Sequence, residues 1–260
     1  MPLNFGEHAD VIFDAPPLAT VLCQIRFSPI LSLTTSAGVA GFQESVRKAY
    51  PTMLDPERVV NIQVSETQIG GQAAAPVWKF ADADGVWRVG IAVDFFSIET
   101  TDYRGITDFL RRLDFVLEAI ARTVRHSSTT RVGLRKVNIV PLTEPRSQSV
   151  ANLVRLPLQG PLTADLPIEP VAAVNFVQFD EEDNHLAIRY GLGQSETTPS
   201  GFILDLDYFT ERPFEIAAHG SLTHLLQHFS DGMTNFFHWA MSPEYLQTLG
   251  PRPRTAEAIT

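Results

Sequence analysis

Two long helical stripes, each arriving after several extended segments, constrain what this chain can fold into more than any other feature. Ile106, Phe109, Leu110, Leu113, Val116, Leu117, Ile120 and Val124 recur at steps of three and four. That spacing predicts an amphipathic helix of about five turns. Leu222, Leu225, Leu226, Phe229, Met233, Phe236 and Phe237 draw a second stripe over Ser221 to Met241. A stripe of this kind must be buried, and the extended segments before each helix are the surface on which to bury it.

Those extended segments come in the same order twice. Residues 18 to 28 alternate, with Ala19, Val21, Cys23, Ile25 and Phe27 on one face, and Pro29 ends the run. A helical stripe follows over Ser36 to Tyr50 (Val39, Phe42, Val46, Ala49) and stops at Pro51. Extended segments are expected at 59 to 69, 76 to 81 and 86 to 100, the turn "DADG" preceding the last. In the second half a strand at 130 to 140 stops at Pro141, and a proline-rich crossover covers 142 to 170. Strands are then expected at 171 to 180, 184 to 192 and 201 to 209. "FFSIET" (95 to 100) aligns with "ILDLDY" (203 to 208), and Pro29 with Pro141. The expected fold is α+β, an internally duplicated strand, crossover, three-strand, helix unit. It has about eight mainly antiparallel strands with long helices on one face. The expected divisions are a lead-in at 1 to 17, repeat units at 18 to 128 and 129 to 248, and a flexible tail at 249 to 260.

The two-residue period of a strand then sorts side chains by face. Phe96, Ile98, Leu204 and Leu206 are expected against the helices, with Ser97, Glu99, Asp205 and Asp207 on the opposite side. The alignment at the prolines sends Gln24 and Arg26, and their matches Lys136 and Asn138, to that same far face. Gln24, Arg26, Glu99, Lys136, Asn138, Asp205 and Asp207 are therefore the candidate binding residues. Solvation or cross-strand pairing is the plainer account of such a face. Glu99, Asp205 and Asp207 are also the carboxylates there that would serve as a general acid and base pair or hold a divalent cation.

Charge narrows the partners. With 30 acidic against 20 basic residues the net charge is −10, which repels nucleic-acid backbones and anionic membranes. Arg104, Arg111, Arg112, Arg122 and Arg125 form a local basic strip whose plainer account is a solvated helix face. The single cysteine, Cys23, rules out an intrachain disulfide and a thiolate-rich zinc site, and its apolar surroundings predict a buried small hydrophobe. The N-terminus lacks the pattern of a signal peptide and no apolar run reaches membrane-span length, so a cytoplasmic location is expected.

No motif names a reaction. His224, His228 and Asp231 share one helical stripe, but it lies opposite the apolar face and lacks the glutamate of H-E-x-x-H, so no metal site is assigned. "GLGQSE" (191 to 196) leads to a strand rather than a helix and reads as a hairpin loop. No cofactor is expected. Trp239 and His238 fall towards the edge of the stripe on the last helix, a candidate oligomer interface if that edge stays exposed. Asp102 is the expected helix-start residue before Ile106.

The stretches "APPLATVLCQIRFSPIL", "FFSIETTDYRGITDF", "RVGLRKVNIV" and "FILDLDYF" together resemble an uncharacterised bacterial family of sporadically distributed proteins. The resemblance rests on a Q-I-R-F strand, an E-T-T-x-Y turn and an R-x-G-L-R-x-x-N strand, in that order over most of residues 15 to 210. It implies an accessory role of the defence or toxin and antitoxin kind, and no activity that can be carried over. The expectation is a non-enzymatic binding protein that uses the open sheet face for a ligand or protein partner, a homodimer being one arrangement this allows. The alternative is a hydrolase or nuclease-like enzyme using the acidic residues of that face.

Overall fold

The computed structural model of the chain describes residues 3–6, 11–58, 62–65, 68–71, 75–124, 129–164, 166–168, 170–195, 198–213 and 219–253. In chain order these form β1 (Val11–Phe13), β2 (Leu18–Phe27), α1 (Ser36–Val46), β3 (Thr52–Met53), β4 (Glu57–Arg58), β5 (Ile62–Ser65) and β6 (Gln68–Gly71). Then come β7 (Pro76–Ala81), β8 (Trp87–Ile91), β9 (Phe95–Thr100), α2 (Ile106–Thr123), β10 (Thr129–Pro141) and α3 (Arg146–Leu153). The chain finishes with β11 (Ala173–Glu181), β12 (Asn184–Ser195), β13 (Thr198–Thr210), α4 (His219–Ala240), α5 (Pro243–Thr248) and β14 (Pro251–Pro253). Contacts divide the chain into an N unit, Thr20–Leu134 with Phe209–Leu226, and a C unit, Met1–Ala19 with Arg135–Tyr208 and Gln227–Thr260.

Strand order inside each unit carries the duplication. In the N unit the strands pair in the order β2, β9, β8, β7, and both β3 and β4 lie on the outer edge of β7. In the C unit the order is β10, β13, β12, β11. Position for position the path is the same, the first strand pairing with the last. The α+β class and its mainly antiparallel strands are therefore as expected. The crossover at 142 to 170 also holds a short helix, α3, as the first half holds α1, which the prolines had masked.

Alternation places the N-unit core as expected. Cys23 lies opposite Ile98 and Ile25 opposite Phe96, while Val89 and Ile91 flank the same two residues from the other side. All six are fully buried. Helix α2 covers this face, with the Phe109 ring 5.6 Å from that of Trp87 and Arg112 stacked 4.4 Å over Trp87. Gly105 precedes α2 with φ +126, a conformation L side chains rarely adopt. Asp102 does not cap the helix but binds Arg104 instead.

Cys23 is closed to solvent and burial pushes its thiol up to about 12, against a smaller lowering by Arg131. The thiolate is the reactive form, so native protein at pH 8 should leave a disulfide reagent unreacted until denaturant is added. Rapid stoichiometric labelling of the folded protein would contradict this placement.

Four expected segments differ. The run 86 to 100 is two strands, because the chain reverses at residues 92 to 94 and Ala92 N–H bonds Phe95 O at 2.8 Å. Its inward residues change phase there, from Trp87, Val89 and Ile91 to Phe96 and Ile98, and that phase change was readable in the sequence. The run 59 to 69 is not one strand: Ile62–Ser65 and Gln68–Gly71 pair as a hairpin, and residues 59–61 and 66–67 lie outside those described. Gly191–Ser195, expected in a loop, continues β12; Glu196 lies outside the described residues. In the expected tail, Pro251–Pro253 pairs with β1, and 254–260 lie outside those described.

Candidate functional site

The candidate residues separate by unit. In the N unit, Gln24 and Arg26 project from β2 on the face away from α2, and Arg26 Nε donates to Gln24 Oε1 at 3.2 Å. Glu99 sits directly opposite Arg88 across the β8–β9 pair, 3.5 Å from its guanidinium. In the C unit, Asp205 is only 5 % exposed on the equivalent face of β13. Arg135 grips it through two hydrogen bonds of 2.7 Å, a bidentate pair, and Arg189 approaches to 3.9 Å. The hydrogen bonds that Arg135 donates to Asp205, joined by the charges of Asp205 and Asp207, outweigh burial and hold Arg135 still more firmly protonated. Glu99 and Asp205 are thus each matched with an arginine, an arrangement that neutralises carboxylates rather than pairing an acid with a base.

Lys136 and Asn138 do not belong to this face. Lys136 is 8 % exposed and points at α4, where its Nζ donates to Ser230 O (3.1 Å), Ser230 Oγ (3.0 Å) and Thr234 Oγ1 (3.2 Å). Asn138 is buried too, its Nδ2 donating to Leu204 O at 3.3 Å. The alternating buried side chains of β10 run through Val132, Leu134, Lys136, Asn138 and Val140. Alignment at Pro29 and Pro141 is therefore one residue out of step with the facing, and a one-residue slip exchanges every side chain between faces. Arg135, on the open face, is the residue that the slip concealed.

A second constellation was not legible in the sequence. Glu181, at the end of β11, is buried among three donors: Tyr208 OH from β13, His228 Nε2 from α4 at 2.6 Å, and the Leu3 backbone N–H at 3.1 Å. Because a carboxylate only accepts, the His228 Nε2 facing it carries a proton. Burial alone would raise the Glu181 carboxyl, but these hydrogen bonds prevail and hold it below the usual range. Burial, with the bond and charge of Glu181, drives the Tyr208 phenol well above its ordinary value. Tyr208 also stacks on Phe229 at 4.5 Å between centroids. There is no room beside it for more than glycine at 232, whose added Cβ would fall 2.6 Å from the Tyr208 ring. His224 and Asp231 stay exposed on the outer stripe, and Asp231 accepts from Gln227 instead. Among the described residues no group of three His, Cys, Asp or Glu side chains could hold a metal ion.

The outer strand of the C unit, β11, leaves large apolar side chains exposed. Val174 is 77 % and Phe176 55 % exposed, and Arg189, opposite Phe176 in register, lies 5.3 Å over its ring. The segment leading into β11 adds exposed Leu166, Ile168 and Val171. The basic strip of α2 is interleaved with acids, Arg104 with Asp102 and both Arg111 and Arg112 with Asp108; Arg125 lies outside the described residues. No described helix is long and apolar enough to cross a membrane. A scan against protein-family models and a search of curated proteins both find no match to this chain.

Proposed function

We propose that this chain is a non-catalytic interaction protein that binds through the edge and open face of β11, and that the strand it takes there is that of a second copy. The repeat supports this reading most directly. The corresponding strand of the N unit, β7, carries β3 and β4 on its outer edge, whereas β11 ends its sheet among the described residues. A bare, apolar edge is a template for strand addition unless charge, proline or a bulge blunts it. From Val171 to Phe179 there is no charged residue at all.

The strand is also complementary to itself. Antiparallel pairing about a two-fold axis through Phe176 sets Phe176 across from its own copy and Val174 across from the copy's Gln178. Asp180 then faces Ala172, so no like charges meet. Arg189 stacked on Phe176 supplies the aromatic and guanidinium pairing that dominates many interfaces. The resemblance to sporadically distributed bacterial proteins would place such an assembly among accessory proteins, and the reading does not depend on it.

Sedimentation equilibrium is expected to show a reversible dimer. Phe176→Glu, which brings two carboxylates together at the axis, should weaken it by about tenfold or more. Arg88→Ala in the N unit should leave it unchanged. A wild-type monomer throughout the accessible concentration range, or a dimer indifferent to Phe176→Glu, would overturn the proposal.

A further inference from the structure

We infer that a cleft at the end of α4 binds a small amphiphilic anion, a flat apolar or aromatic body bearing one acidic group. The cleft encloses about 470 Å³, within the range of roughly 300–1,000 Å³ typical of small-molecule sites. It lies wholly in the C unit and takes no lining residue from β11, whose Phe179 packs edge-on behind Phe5 at 5.6 Å, and it does not depend on the proposed dimer.

Its walls are aromatic and already braced. Phe5 meets Phe236 edge-on at 5.0 Å and lies 6.0 Å from Trp239, which is itself 5.5 Å from Phe236. Across the cleft Phe13, on β1, stacks on the buried His238 ring at 5.3 Å and 29°. The pairing of β1 with β14 holds this wall in place. Planar walls of this kind suit a planar guest and lose little freedom on binding it.

Charge then selects the guest's polar end. In a chain with ten more acidic than basic residues, the described lining of this cleft contains no carboxylate. It does contain Arg155, whose side chain has no ion-pair or hydrogen-bond partner among the described residues. The arginine is nevertheless positioned, because its backbone N–H bonds Ala240 O at 2.9 Å and the adjoining Val154 pairs with Met241. A guanidinium carried on an anchored backbone beside an aromatic slot matches a carboxylate, sulfonate or phosphate on an apolar ring. Asn235 adds a polar side chain to the same lining.

The test uses two dyes with nearly the same aromatic body. 1-Anilinonaphthalene-8-sulfonate carries the anion, and N-phenyl-1-naphthylamine lacks it. Titration calorimetry and dye emission on the full chain should show one site for the sulfonate. Arg155→Met should weaken the sulfonate about tenfold and the neutral dye less than about twofold. Trp239→Leu should weaken both, and Phe176→Glu neither, which separates this cleft from the β11 surface. Equal effects of Arg155→Met on the two dyes would overturn the anionic assignment. Sulfonate binding that survives Trp239→Leu would place the dye elsewhere and overturn the site. Affinity that falls as protein concentration rises would show a second copy of the chain occupying the cleft, and would overturn a small-molecule role.

Discussion

Glu181→Ala is expected to cost about 2–4 kcal/mol. The substitution strands Tyr208, whose side chain is fully buried, with only His228 at 3.4 Å nearby, and it releases the Leu3 N–H. In a chain of this size that loss corresponds to a fall in Tm of roughly 4–16 °C. Glu181→Gln keeps an acceptor for Tyr208 and a polar group for His228, so it should recover about half or more of the loss. The acid dependence follows from sign. The Glu181 carboxyl is held below its ordinary value in the folded protein, so its contribution is complete above about pH 4.5 and disappears as pH falls through the depressed folded value. Chemical denaturation between pH 3 and 7 should therefore show a shallower acid loss in Glu181→Gln than in the wild type. Parallel pH curves for the two proteins would mean the hydrogen bonds do not favour the ionised carboxylate.

Lys136→Ala should cost about 2–4 kcal/mol, with Lys136→Met restoring most of it. Alanine removes the packed stem and leaves Ser230 and Thr234 facing an empty pocket. Methionine refills the volume and takes away a buried charge, which is commonly neutral or stabilising in such positions. Urea melts of the two variants decide the matter. If methionine is as damaging as alanine, the three hydrogen bonds to α4 are themselves the stabilising element; if neither variant loses stability, Lys136 is not packed against α4.

The two carboxylate readings show where sequence reasoning reached and where it stopped. Glu99 was assignable to the far face from alternation alone, since Phe96 and Ile98, three and one residues before it, could only be core, and Arg88 was its neighbour once the β8–β9 reversal was seen. Asp205 was assignable by the same counting, but its partner Arg135 was not. The proline alignment between halves was off by one, and it exchanged Arg135 for Lys136. Lysine at an inward position contradicts the ordinary sorting of polar residues outward, and the Ser230 and Thr234 acceptors on α4 help make that position tenable. Glu181, Tyr208 and His228 are far apart in sequence and share no motif, so nothing short of the packed structure could have joined them.

By itself the sequence determined the local and periodic properties of this protein: an α+β chain with two amphipathic helices, an apolar face of alternating residues, a repeated element order and a closed Cys23. These follow from spacing, since burial requires apolar residues at 2.0 or 3.6 residue intervals wherever a strand or helix meets a core. Tertiary structure alone decided which polar residues meet. The arginine grip on Asp205, the inward turn of Lys136, the bare edge of β11 and the aromatic cleft beside Arg155 all depend on strand register and on contacts between distant segments. A shift of one residue in register leaves the hydrophobic periodicity of a segment intact while exchanging every polar partner, and for that reason periodicity could not reveal them.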